Sequence, residues 1–159
     1  MRQITIIGSS GSISPKISKM AQELGRCIAS RGAILITGGR DGVMEAASKG
    51  AKERGGLTVG IVPGSKQDAN PYVDVVVVTG MGDARNVINV RSGDVVIAVS
   101  GAAGTLSEIA LALKAGKKVI AIRSSGGVAE KMAGETIENG KVLSADSVEE
   151  AIEQAFSDS

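Results

Sequence analysis

The chain contains no histidine and no tryptophan, and only one cysteine, one phenylalanine and one tyrosine. Without histidine, Ser-His-Asp and Cys-His mechanisms and the commonest zinc sites are excluded. Any chemistry falls to carboxylates, Arg, Lys, Ser, Thr and the backbone, and no metal site is expected. With so few aromatics, the core has to be built from Ile, Val, Leu, Ala and Met, and stacking on aromatic platforms is not the main means of holding a base. The single Cys27 rules out a disulfide framework. It sits mid-helix among Leu24, Ile28 and Ala29, where it reads as a small buried residue rather than a reactive thiol. No apolar run approaches the roughly eighteen residues that span a bilayer, and MRQITIIGSS carries only a strand-length one. A cytoplasmic protein without membrane contact is expected. The net charge is +1, with acids and bases mixed along the chain, so no basic face announces nucleic acid. A length of 159 residues suits one domain, residues 1–159.

Glycine and short β-branched runs are what the chain has in quantity, and they are ordered. From Asp94 to Ile120 it reads DVVIAVSGAAGTLSEIALALKAGKKVI. Asp94–Val99 fits a parallel strand buried on both faces, Gly101–Gly104 is a turn, and a helix is expected from near Thr105 to about Ala115, stopped by Gly116. Such a turn presents free backbone N–H groups and the positive end of a helix dipole at the carboxyl edge of the sheet, where Gly101, Ala102, Ala103 and Gly104 let a phosphate approach. Thr105 and Glu108 stand in the first helical turn. Thr105-x-x-Glu108 is equally a capping box, and spacing alone leaves both readings open. Leu106, Ile109, Ala110 and Leu113 form one apolar face for the sheet; Leu111, Ala112 and Ala115 form a second, for another subunit or a neighbouring helix.

The remaining segments repeat the pattern. Gln3–Ile7 is a strand ending in Gly8-Ser9-Ser10, after which Ser14-Pro15 opens a helix that stops at Gly32. Ala33–Thr37 is a second strand, followed by Gly38-Gly39-Arg40-Asp41-Gly42 with Asp41 as a candidate cap for a helix to about Arg54. Neither turn is a GxGxxG, and the second strand lacks a terminal acid for a ribose, which disfavours a nicotinamide or flavin dinucleotide. Leu57–Val62 is a third strand, Ser65–Tyr72 a loop, and Val73–Thr79 a fourth strand whose four valines read as a buried position. Asp83–Arg91 is a short helix carrying Arg85 and Asn86 in its first turn, where an arginine faces the helix dipole unfavourably and needs an anion or carboxylate to hold it. Lys118–Arg123 is a sixth strand, Val128–Gly140 is weakly helical, Lys141–Ser144 a short last strand, and Ser147-x-x-Glu150 caps a final structural helix. Six to seven strands alternating with helices predict a single Rossmann-like, doubly wound α/β sheet, mainly parallel, with helices on both faces. The glycine turns then gather at its carboxyl edge.

GSS after the first strand, GGRDGVM after the second, Arg85, and SGAAGTLSE after the fifth together resemble the Rossmann-type superfamily once called lysine decarboxylase-like. Its best known branch is the Lonely Guy (LOG) phosphoribohydrolases, with the signature PGGxGTxxE. The resemblance spans residues 1 to 123. It implies that Gly101, Gly104 and Thr105 hold a 5′-phosphate and that Glu108 and Arg85 act on an N-glycosidic bond. Ser100-Gly101-Ala102 stands where the family has Pro-Gly-Gly, and Asn86 where it usually has lysine. With GGRDGVM and GMGDARN, the chain is more similar to a short branch that includes molybdenum cofactor carrier proteins. The implied function is a homo-oligomeric (dimeric or tetrameric) carrier that binds a nucleotide or molybdopterin-type ligand and requires no other cofactor. Its phosphate would lie on Gly101–Thr105 and around Gly38, Gly39 and Gly42, with Gly8, Ser9, Ser10, Arg40 and Asn86 lining the site. The competing expectation is a nucleoside 5′-monophosphate phosphoribohydrolase, with Glu108 and Arg85 as catalytic residues. A DNA-handling role is disfavoured by the charge and composition. Nothing singles out a lysine for Schiff-base decarboxylation.

Overall fold

The computed structural model describes residues 1–158. Its strands are β1 (Gln3–Gly8), β2 (Ile34–Thr37), β3 (Thr58–Val62), β4 (Val75–Val78), β5 (Val95–Val99), β6 (Lys118–Ile122), β7 (Thr136–Ile137) and β8 (Gly140–Ala145). The helices are α1 (Pro15–Ser30), α2 (Val43–Glu53), α3 (Asn86–Ser92), α4 (Ala103–Lys114), α5 (Gly127–Met132) and α6 (Val148–Phe156). One eight-stranded sheet runs β4-β3-β2-β1-β5-β6-β8-β7, parallel except for the antiparallel β7–β8 pair. The chain begins at the centre, winds outward to β4, and returns to place β5 beside β1. That reversal makes the β1/β5 junction the switch point, where the paired carboxyl ends Gly8 and Val99 splay their loops apart.

Alternation along the strands splits the core in two, as a period of two requires. Ile4, Ile6, Leu35, Val95, Ile97 and Ile120 face α1, α2 and α6. Ile7, Val96, Ala98, Val119 and Ala121 face Val90, Ile109, Ala112 and Ala129 of α3, α4 and α5. Ser14 caps α1 through its hydroxyl, which accepts from the Ile17 N–H at 3.2 Å, with Pro15 at the first helical position. Ser147 caps α6 by accepting from the Glu150 N–H. Cys27 is half-buried on α1, and burial raises its thiol pKa, so it is poorly suited to act as a thiolate. Among the described residues no helix is long and apolar enough to cross a membrane.

Several expected elements differ. The sheet has eight strands rather than six or seven because the segment expected to be weakly helical ends its helix at Met132 and returns as β7, hydrogen-bonded to β8 through a tight turn at Glu138. The four valines form an edge strand, not a buried one: Val75, Val77 and Val78 are 46%, 40% and 52% exposed. A valine run reports fitness for a pleated backbone, not rank within the sheet. Asp41 does not cap α2; Gly42 occupies the cap position, and the Asp41 carboxylate accepts from the Gly11 N–H at 2.8 Å. A single 3₁₀ turn, Lys66–Asp68, interrupts the loop after β3. The inward stripe of α4 is Thr105, Ile109 and Ala112, while Leu106 is 43% exposed.

Candidate functional site

Four loops meet above the β1/β5 switch point and enclose a cleft of about 410 Å³. After β5, Ser100 and Gly101 both take positive φ, 54° and 99°, which reverses the chain within two residues. Segment Ser124–Ala129 fixes that reversal. The Ser125 hydroxyl accepts from the Ser100 N–H at 2.7 Å, and the Ser100 and Gly101 carbonyls accept from Ala129 and Val128. With those carbonyls committed to α5, the turn is pinned from the side away from the cleft. The Gly101 N–H is itself taken by the Ser9 hydroxyl at 2.8 Å, which ties the first loop to the fourth.

α4 then starts at Ala103, two residues earlier than expected, with Ala102 at the cap position and no capping side chain. Thr105 is therefore the third helical residue and 3% exposed, and it caps nothing. The first N–H groups of the helix have no intrahelical partner by construction, so the N-terminus of a twelve-residue helix opens uncapped at the switch point. Among the anion sites a backbone can build, this is the simplest. A Cβ added at Gly104 would meet nothing within 4 Å, so the approach to these groups is open.

The second loop supports the first. A Cβ at Gly42 would collide with the Ser9 carbonyl, and the Val43 N–H donates to that carbonyl at 2.9 Å. Gly39 packs against Val62, and Asn70 fixes the loop through the Gly39 and Arg40 carbonyls. Gly38 lies beneath Arg85, whose Nη2 comes within 3.1 Å of a Cβ placed there.

Arg85 closes a 3₁₀ turn, Gly82–Arg85, and is 6% exposed. Its Nε donates to the Ile61 carbonyl at 3.0 Å and its Nη1 to the Gly82 carbonyl at 3.3 Å. The expected carboxylate partner is present in Asp83, but it is not what fixes the side chain. Two carbonyls hold it, and the exposed Asp83 stands 3.9 Å away as a weak partner. Burial lowers the Arg85 pKa, with Glu108 and Asp83 pulling it back.

Glu108 lies one helical turn beyond Thr105. Its Oε2 accepts from Asn89 Nδ2 at 3.1 Å. Burial pushes its pKa up to about 7, against the opposing pull of the Asn89 hydrogen bond and Arg85. Below its ordinary value of 4.5 the folded and unfolded chains both hold the proton, and burial costs nothing. Between 4.5 and about 7 only the unfolded chain releases it, and above 7 the folded chain carries a buried charge, so this group removes stability as pH rises. Glu108→Gln is therefore expected to melt close to the parent at pH 5 and to be more stable at pH 8, by about 2 to 3 kcal/mol. Thermal melts of both proteins at the two pH values check this; a pH-independent difference contradicts it.

Of the residues singled out in the sequence, Gly8, Ser9, Ser10, Gly38, Arg40, Arg85, Asn86, Gly101, Ala102, Gly104, Thr105 and Glu108 line this one cleft. Ala103, Gly39 and Gly42 do not; the two glycines shape the loop beneath. The sequence reading missed Ser12, Asp83 and Asn89, which also line it. Asn89 was findable, because it lies three and four residues beyond Asn86 and Arg85 and so shares their face of the helix. Among the described residues no group of three or more His, Cys, Asp or Glu is placed to hold a metal ion.

An uncharacterised protein of Archaeoglobus fulgidus is 47% identical over 123 residues, covering 77% of this chain and 81% of that one. The solved molybdenum cofactor binding protein of Rippkaea orientalis superposes with a TM-score of 0.88 at 43% identity, over 96% of this chain and 94% of that one. The molybdenum cofactor carrier protein of Chlamydomonas reinhardtii gives 0.86 at 41% identity, over 97% and 96%. The model of the SLOG cluster4 family matches residues 1–152, well past the 1–123 over which the sequence motifs run. The chain belongs to the SLOG cluster4 family.

Proposed function

We propose that the protein is a carrier that binds a small phosphorylated ligand, of the molybdopterin or nucleotide type, in the switch-point cleft. The observation that carries this reading is the uncapped N-terminus of α4, opening onto the same cleft as buried Arg85. The phosphate accepts from the first N–H groups of α4, and the Ser9 and Ser10 loop borders it. The rest of the ligand extends over Gly38 toward Arg85, Asn86 and Glu108. Similarity to solved proteins that bind or carry the molybdenum cofactor supports the same class of ligand.

One observation favours a second reading, hydrolysis of a nucleoside monophosphate. A carboxyl titrating near 7 in a cleft suits protonation of a departing base, which a protein without histidine otherwise lacks. Calorimetric titration with neopterin monophosphate and a panel of nucleoside monophosphates, with chromatography for free base, separates the two. Binding without release of base is expected; release that Glu108→Gln abolishes overturns the carrier reading.

The carrier works as a homo-oligomer in this proposal. Val75, Val77, Ile34 and Val59 share the sheet face that continues past α3, and with exposed Val87, Ile88 and Leu106 they leave an apolar surface for a second copy. Val77→Lys is expected to convert the oligomer to monomer in light scattering; an unchanged mass contradicts this face.

A further inference from the structure

Arg85 keeps one donor group unused. Its Nε and Nη1 are spent on the Ile61 and Gly82 carbonyls, but Nη2 has no hydrogen-bond partner among the described residues. Arg85 lines the cleft, and Nη2 does not belong to the enclosed unpartnered atoms, which are Ser48 Oγ, Asn89 Oδ1 and Gln154 Oε1, so solvent or a ligand reaches it. Glycine at position 38 keeps it uncovered, since a Cβ there would stand 3.1 Å from Nη2. A second guanidinium shares this end of the cleft. Arg40 follows Gly38 by two residues, is exposed, and makes no side-chain hydrogen bond or ion pair among the described residues. Burial is the chief cause of the lowered Arg85 pKa, and the Arg40 charge lowers it further. Two like charges so placed cost energy unless something between them is negative. The acids that offset Arg85 do so incompletely. Asp83 is exposed at 3.9 Å, Asp68 gives its carboxylate to the Gly64 and Ser65 N–H groups, and Glu108 holds its proton below about 7.

This end of the cleft is distinct from the start of α4. β2 and β5 lie on opposite sides of β1, so the loops that follow them, with Gly38 and Arg40 on one and Ala102 on the other, rise from strands about 10 Å apart. That span exceeds what one phosphate bridges with a hydrogen bond on each side. Resting on the carrier reading above, we propose that Arg40 and Arg85 form a second anion subsite, and that the ligand carries an anionic oxygen group at the end remote from its phosphate. The two anions are joined by a ring or a short polar chain lying over Gly38. Arg85 is the fixed half of the subsite, held by the two carbonyls with Nη2 left to donate. Arg40 is anchored through its backbone carbonyl, which accepts from Asn70 Nδ2 at 2.8 Å, and its unpaired side chain closes over the anion. The bound anion accepts charge-assisted hydrogen bonds from both and removes the repulsion between them.

The test is calorimetric titration with 6-phosphogluconate and sorbitol 6-phosphate at pH 6, where Glu108 holds its proton. These open-chain phosphate esters differ in that one ends in a carboxylate and the other in an alcohol. 6-Phosphogluconate is expected to bind about tenfold or more tightly. Arg40→Gln is expected to cut that advantage to under about threefold. Arg31→Gln, which removes a charge at the opposite end of α1, is expected to keep it. Equal affinities in the parent overturn the second subsite and leave the phosphate site standing. An advantage that survives Arg40→Gln, or that Arg31→Gln removes equally, reports net charge alone and overturns it too. The two ligands decide the matter in the parent protein even where a variant fails to fold. Failure of both esters to bind overturns the carrier reading and this inference with it.

Discussion

Gly104→Asp is expected to weaken binding of a phosphorylated ligand by at least about 100-fold while leaving the melting temperature equal to or slightly above that of the parent. Gly104 is the second residue of α4, and the first turn of that helix contains no acidic residue. A Cβ there meets nothing within 4 Å, and no positive φ demands glycine, so the substitution is free of strain. An aspartate at this position interacts favourably with the helix dipole, by roughly 0.3 to 1 kcal/mol, and occupies the N–H groups the ligand needs. It also sets a fixed negative charge where the phosphate would sit. Stability and binding therefore move in opposite directions, which unfolding cannot mimic. Melting curves with titration of neopterin monophosphate check both; a variant that keeps its affinity places the phosphate elsewhere.

Gly50→Val is expected to lose about 4 kcal/mol, lowering the melting temperature by about 8 to 16 °C. α1 and α2 cross in contact at their backbones. A Cβ on Gly50 would overlap the Gln22 carbonyl, and one on Gly25 would overlap the Ala47 carbonyl. Neither obstacle is the end of a flexible side chain, so relief requires the two helices to separate. Separation opens the core between Leu24, Ile28, Ala47 and Ala51. Thermal and urea unfolding check this, and a shift of under 2 °C contradicts a backbone-contact crossing. Binding by the folded fraction is expected to persist, because the crossing lies away from the cleft.

The doubly wound fold was legible because β-branched runs and glycine turns alternate from Gln3 to Arg123, and the switch point follows from that order. The position of β4 was not. Its four valines carry strand propensity equally at a centre or an edge, and only the outward winding from β1 settles that β4 lies outermost. At the site, the small residues of Gly8–Ser10, Gly38 and Gly101–Gly104 marked the loops because each breaks the pattern of its neighbours. Thr105 and Glu108 fitted a capping box and a site equally well. The structure removes the capping box, because the helix starts at Ala103, and it encloses the Glu108 carboxylate beside Asn89. Asn89 itself carries no loop signature, and its unpaired oxygen is a fact of packing that no spacing announces. The part played by the Ser124–Ala129 segment was harder to read: apart from the buried Ser125 hydroxyl, it holds the Ser100 and Gly101 carbonyls by backbone N–H groups, which leave no mark on side-chain identity.

The most direct measurement compares a phosphorylated pterin with its dephosphorylated parent. Purified protein titrated with neopterin monophosphate and with neopterin is expected to bind the phosphate ester at least about 100-fold more tightly, the advantage falling steeply with added salt. Equal affinities, or binding of neither, contradict a cleft organised around a phosphate at the start of α4.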